Sequence, residues 1–143
     1  VEYWKQIGGT IMLPGTNRAS DRFARASFYI NAIPKNYNTK QAQASVFSVI
    51  RNASVPYGLN TQEEPNISST RWRTVADHKQ MLYFFESALS PNVFWVDLKK
   101  INFKDGKTRR LDLGPDQSHI YAGDATSSFK IAKPFVFLGP TTR

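Results

Sequence analysis

The 143-residue chain carries 19 Lys and Arg against 11 Asp and Glu, a formal net charge of +8 with a pI near 9.9, and is 41% hydrophobic and 13% aromatic. That composition excludes a disordered polymer and suits one globular domain burying roughly 70% of its unfolded surface. The chain has no cysteine, so disulfides, thiolate metal sites and a cysteine nucleophile are excluded within it, and no apolar run approaches the ~20 residues of a membrane span.

Val1-Glu2-Tyr3-Trp4 opens in mid-pattern without an initiator Met, so the chain reads as processed, truncated or partial. Ile11-Met12-Leu13 leads into a Pro14-Gly15 turn. A first helix is expected from Ser20, its N-cap, with Asp21 at the positive end of the dipole. Phe23, Ala26, Phe28, Ile30 and Ile33 form its apolar stripe, and Pro34 ends it. A second helix is expected over about Thr39–Arg51, capped by Asn38 or Thr39. It should bury Ala42, Val46, Phe47, Val49 and Ile50, and leave Lys40, Gln41, Gln43 and Ser48 outside.

After Val55-Pro56-Tyr57-Gly58 the pattern turns from helical to extended. A loop at Thr61–Asn66 leads to a hairpin with arms at about Ile67–Ala76 and Met81–Glu86 around the polar tip Asp77-His78-Lys79-Gln80. A strand at Val93–Leu98 and a weaker one at Thr108–Leu113 follow. Residues 115–143 read as a loop-like tail, whose apolar patches at Phe129 and Phe135–Leu138 are expected to dock on a neighbouring surface. The layout is α+β, two antiparallel helices followed by an antiparallel sheet. The arm Met81–Phe85 is apolar on both faces and calls for cover on both. Two helices supply one layer, so a partner segment is expected to supply the other.

Few residues carry chemistry. His78 and His119 have no carboxylate or second histidine at ligand spacing, and read as exposed polar residues. No G-x-S-x-G elbow or phosphate-binding glycine loop occurs. Asn52-Ala53-Ser54 and Asn66-Ile67-Ser68 match a glycosylation pattern short enough to arise by chance. The densest basic segment, Lys99–Arg110, reads as an exposed, solvated hairpin turning at Asp105-Gly106. With no nucleic-acid-binding signature in the chain, the charge is a weak argument for that partner. Arg71 stands apart, mid-strand among Ser, Thr and aromatic neighbours. It is either an edge charge in a surface ion pair, worth at most about 1 kcal/mol, or a guanidinium aimed into a site.

Several motifs in order weigh on that choice. Leu13-Pro14-Gly15, a six-residue gap, then Arg22-Phe23-Ala24-Arg25-Ala26-Ser27-Phe28 resembles an LPG…RF-x-RA-x-F helix entrance. Val55-Pro56-Tyr57-Gly58 resembles V-P-x-G, and Ser69-Thr70-Arg71-Trp72 followed by Thr74-Val75-Ala76-Asp77 and Tyr83-Phe84 resembles a T-R-[YW] strand, turn and return. Together they are similar to the choloylglycine hydrolase and penicillin V acylase family of linear-amide C–N hydrolases, within the N-terminal-nucleophile superfamily. The likeness runs from about Leu13 to Phe103 with an echo at Ala132-Lys133-Pro134-Phe135, and is nearest the Gram-negative bacterial branch.

The resemblance implies an αββα sandwich in which an N-terminal cysteine attacks an amide, with its own α-amino group as base and Asp, Asn and Arg residues around it. Of the family's catalytic positions only the strand arginine falls in this sequence, at Arg71. The nucleophile and its other companions belong to the family's N-terminal part. The expectation is therefore a single partial domain, the C-terminal portion of a linear-amide hydrolase, without metal or cofactor and inactive in isolation. Its partners would be the N-terminal segment, a small-molecule amide and, as often in the family, further copies of itself. Bile-salt conjugates, phenoxyacetyl penicillins and N-acyl homoserine lactones stay open as substrates, and localisation stays open. The competing reading is a non-catalytic basic interaction module, motivated by the charge and the absent nucleophile.

Overall fold

The computed structural model describes residues 13–59, 61–63, 68–114 and 120–139. His119, Asn66 and Ile67 lie outside them.

Helix α1 spans Ala19–Ala32 and helix α2 spans Thr39–Asn52. The start of α1 differs from expectation: Arg18 is the N-cap, without a side-chain cap, and Ser20 lies in the first turn. The entrance is set instead by the preceding turn. Thr16 Oγ1 accepts the Arg18 N–H at 3.2 Å, and the buried Arg25 guanidinium donates to the carbonyls of Pro14 (2.8 Å) and Thr16 (2.9 Å). The apolar stripe expected to be buried is largely in solvent. Phe23 is 75% exposed, and Phe28 and Ile30 are also exposed, because α1 lies against α2 and turns its arginines inward. Arg22 Nε reaches the Ala53 carbonyl at 2.6 Å, placing a cation at the C-terminal end of α2, where the helix dipole favours it.

Helix α2 is specified by its own sequence. Asn38 Oδ1 accepts the Gln41 N–H at 2.9 Å while Gln41 Oε1 accepts the Asn38 N–H at 3.0 Å, a reciprocal capping box. Asn38→Ala should lower stability by about 1 kcal/mol, read as a shift of the urea midpoint at unchanged m value; an unshifted midpoint would show that tertiary packing alone holds the helix start.

Strands β1 (Trp72–Asp77), β2 (Leu82–Ser87) and β3 (Val93–Asp97) form an antiparallel meander. Arg71 is therefore not mid-strand but the residue just before β1. Period-two alternation puts Val75, Phe84 and Trp95 side by side on one face. Phe47 of α2 packs edge-to-face on Phe84 there, ring centroids 5.7 Å apart, with Val46, Ile50, Leu82 and Val93 around them. One expected outer residue is recruited too: Gln43 Nε2 donates to Asp77 Oδ2 at 2.8 Å, tying α2 to the hairpin tip.

Asp77 also accepts the Gln80 N–H at 2.8 Å, and that bond, with the Gln43 amide second, holds its carboxyl below the usual range. A folded-state value lower than the unfolded one gives stability that is present above about pH 4 and fades as pH falls through the folded value. Asp77→Ala should accordingly cost about 1 kcal/mol at neutral pH, and the cost should shrink in urea titrations repeated below pH 4. A cost independent of pH would mean the loss is packing rather than charge.

The opposite sheet face is covered by the tail, which is less loop-like than expected. Strand β5 (Gly123–Asp124) pairs parallel with β3, the Ala125 N–H donates to the Trp95 carbonyl, and a 3-10 turn follows at Thr126–Ser128. Phe94, Val96 and Ala125 form a second core with Phe85, Tyr121 and Phe129. Phe129 thus docks within the chain, whereas residues 135–138 are exposed. Cover thins beyond Phe85 of β2: Trp72 is 61% exposed and Tyr83 is also exposed on this face. The basic segment is not a self-contained hairpin. Its strand β4 (Arg109–Arg110) pairs antiparallel with β6 (Lys130–Ile131) of the tail. The turn at Gly106 adopts φ +65°, and Arg109 pairs with Asp105, holding that carboxyl at about 2.

Candidate functional site

Arg71 is placed by the segment that follows α2. Val55, 2% exposed, is a peg whose N–H donates to Thr70 Oγ1 at 3.0 Å and whose carbonyl accepts the Thr70 N–H at 3.1 Å. That two-way bond fixes the backbone one residue before Arg71. The Arg71 carbonyl accepts the Ala88 N–H at 2.9 Å, fixing the other side. Gly58 adopts φ +77°, a region that favours glycine, and turns the chain immediately after Tyr57. The Tyr57 hydroxyl then accepts from the Arg71 guanidinium at 3.3 Å, and the Arg71 Cζ lies 5.1 Å from the Tyr57 ring centroid.

Arg71 borders a cavity of about 620 Å³ at the open end of the meander, with Trp72, Phe85, Leu89, Phe94 and Tyr121 in its walls. Among the described residues Arg71 has no carboxylate partner. A permanent cation beside a cavity walled largely by aromatic and aliphatic side chains is poised to hold a carboxylate, or an oxyanion as it develops.

Two hydroxyls lining this cavity are occupied with structure. Ser87 Oγ accepts the Leu89 N–H at 3.1 Å and Ser90 Oγ accepts the Asn92 N–H at 3.2 Å. His78 is exposed in the hairpin tip, on the residues that join β1 to β2. No group of three or more His, Asp or Glu able to hold a metal exists among the described residues. Among the described residues no histidine or carboxylate lines this cavity beside the arginine.

The model of the linear amide C–N hydrolases, choloylglycine hydrolase family, matches residues 1–115. The chain belongs to that family. Penicillin V acylase of Pectobacterium atrosepticum is 58% identical over 151 aligned residues, which take in 96% of this chain and 40% of that protein. The solved structure of penicillin V acylase from Agrobacterium tumefaciens is 66% identical, with a TM-score of 0.83 over 97% of this chain and 44% of that one. The chain thus spans about two-fifths of the length of the relatives it matches, and its α+β layout of two helices and a mostly antiparallel sheet is that of the penicillin V acylase.

Within this family the motif residues acquire distinct physical jobs. Arg22 and Arg25 of the helix entrance bind carbonyls and hold the fold together. Val55 and Gly58 of V-P-Y-G set a peg and a turn. Tyr57 was not singled out by sequence reasoning. Its place beneath the guanidinium emerges only when α2 returns to the sheet.

Proposed function

We propose that these residues are the part of a penicillin V acylase-like hydrolase that brings Arg71 to the acyl-transfer site, the cysteine nucleophile being supplied from outside the chain. The observation that carries this reading is the Arg71 guanidinium, without a carboxylate partner among the described residues, beside a cavity walled in part by aromatic rings, in a chain of a linear-amide hydrolase family. The thiol adds to the amide carbonyl, and its proton passes through the α-amino base to the leaving amine. Water then cleaves the thioester. Arg71 faces the negative charge that gathers on the carbonyl oxygen in each step.

Aromatic walls suit an amide whose acyl part is an aryl or aryloxy group, so a phenoxyacetyl amide such as penicillin V is the favoured substrate. Bile-salt conjugates and N-acyl homoserine lactones come second. The test is hydrolysis of all three by the 143 residues alone and by the whole protein that carries them. The reading expects no turnover from the former and fastest cleavage of penicillin V by the latter. Turnover by the isolated residues would overturn the claim of an outside nucleophile, and preference for a bile-salt amide would overturn the substrate.

A further inference from the structure

Strands β4 and β6 contain a pairing that weakens them as they stand. Arg110 is directly opposite Lys130 in the antiparallel register, beside the pair Arg109 and Ile131. Like charges placed directly across a ladder repel, and this ladder is only two residues long on each strand. The neighbouring cation is treated differently: Arg109 has its counter-charge in Asp105. Among the described residues Arg110 and Lys130 have none.

Both cations line a second cavity of about 200 Å³, together with Asp112, Ser128 and Tyr121. Asp112, two residues beyond the end of β4, lines the same cavity. It too forms no ion pair among the described residues. One small cavity therefore gathers two cations, a carboxylate and the Ser128 hydroxyl, with no ion pair among the three charged groups, each of which also reaches solvent. Its volume suits a ligand of small-metabolite size.

We propose that this cavity binds a small amphoteric carboxylate of amino-acid type. Its carboxylate is held between Arg110 and Lys130, turning their repulsion into two attractions, and its ammonium is held by Asp112. Arginine's fork suits a planar carboxylate and lysine supplies a point charge beside it. Asp112 is what separates this ligand from a plain anion: a compact dianion such as phosphate would meet its charge, while an ammonium relieves it.

The probes are L-alanine, propionate and inorganic phosphate, titrated calorimetrically into the whole protein. Alanine and propionate differ only in the amine, so their ratio reads Asp112 directly. Alanine should bind at least about tenfold more tightly than propionate or phosphate. Asp112→Asn should erase that preference, and the Arg110→Gln/Lys130→Gln pair should abolish binding. Because this pair removes a repulsion, its thermal midpoint should not fall, which separates lost binding from lost folding. Arg71→Ala, in the larger cavity, should leave alanine binding intact. Propionate or phosphate binding as well as alanine would overturn the proposal. So would absence of alanine binding at millimolar concentration, binding that survives the double substitution, or binding lost with Arg71.

Discussion

Under the proposed acyl-transfer role, Arg71→Ala is expected to lower kcat by about two to three orders of magnitude, the usual consequence of removing one donor to a developing oxyanion. The kinetic split distinguishes the two jobs this guanidinium could do. If Arg71 faces the tetrahedral intermediate, kcat falls while KM barely moves; if it holds a ground-state carboxylate of the substrate, KM rises with kcat preserved. Arg71→Lys keeps the charge and loses the fork, so it should recover part of the rate. Folding does not confound the comparison, since Arg71 is exposed and its bonds to Tyr57 are a 3.3 Å hydrogen bond and a ring contact. Its thermal midpoint should stay at the wild-type value. Turnover near wild type in Arg71→Ala would remove this residue from the reaction.

The second large effect concerns stability. Glu86 is 7% exposed in β2, on the helix-facing side of the sheet. Its carboxylate accepts from Arg51 Nε of α2 at 3.1 and 3.2 Å, and Arg73 of β1 lies 3.7 Å away. Arg73 in turn donates to Ser54 Oγ at 2.8 Å, and Ser54 donates to the Ile50 carbonyl at 2.7 Å. One acid thus joins two strands and a helix. Glu86→Ala strands Arg73, only 18% exposed, without its counter-charge, while Arg51, 48% exposed, can turn to water. Breaking a buried pair costs 3–5 kcal/mol, and the exposure of Arg51 puts this case near about 3 kcal/mol. Replacing Arg73 and Glu86 together by Met and Leu should come within about 1 kcal/mol of wild type, because no charge is then left buried alone. Urea unfolding of the single and double variants checks both numbers. A single variant as stable as the parent would show that water already screens Glu86.

How far the sequence revealed all this depended on how local the cause was. The second helix was readable because its cap is four residues long, Asn38 to Gln41, and needs no tertiary partner. The hairpin was readable from its polar tip and its β-branched and aromatic arms. The first helix misled because Phe23, Phe28 and Ile30 look like a buried stripe, while the face that turns inward carries Arg22 and Arg25 bound to carbonyls. An arginine that tethers backbone is indistinguishable in sequence from one in solvent. Strands β5 and β6 are two residues long, too short for any period to register. Arg71 became conspicuous through its flanking motif, but Tyr57, 14 residues away, gave no sign that its ring would lie beneath the guanidinium.

The parallel pairing of β5 with β3 has a consequence for the order in which the molecule opens. The meander joins strands that are neighbours in sequence, whereas Gly123 and Asp124 of β5 pair with Phe94 and Trp95 of β3 from far along the chain. Closing that long connection costs entropy that the hairpins do not spend, and a two-residue ladder returns little against it. The tail should behave as its own cooperative unit. In native-state hydrogen exchange the amide of Ala125 would report a low-energy opening, while those of β2, paired on both edges, would exchange only with global unfolding. Such an opening would bare Phe94 and Tyr121, two walls of the cavity beside Arg71, and so would change the pocket's shape without unfolding the meander.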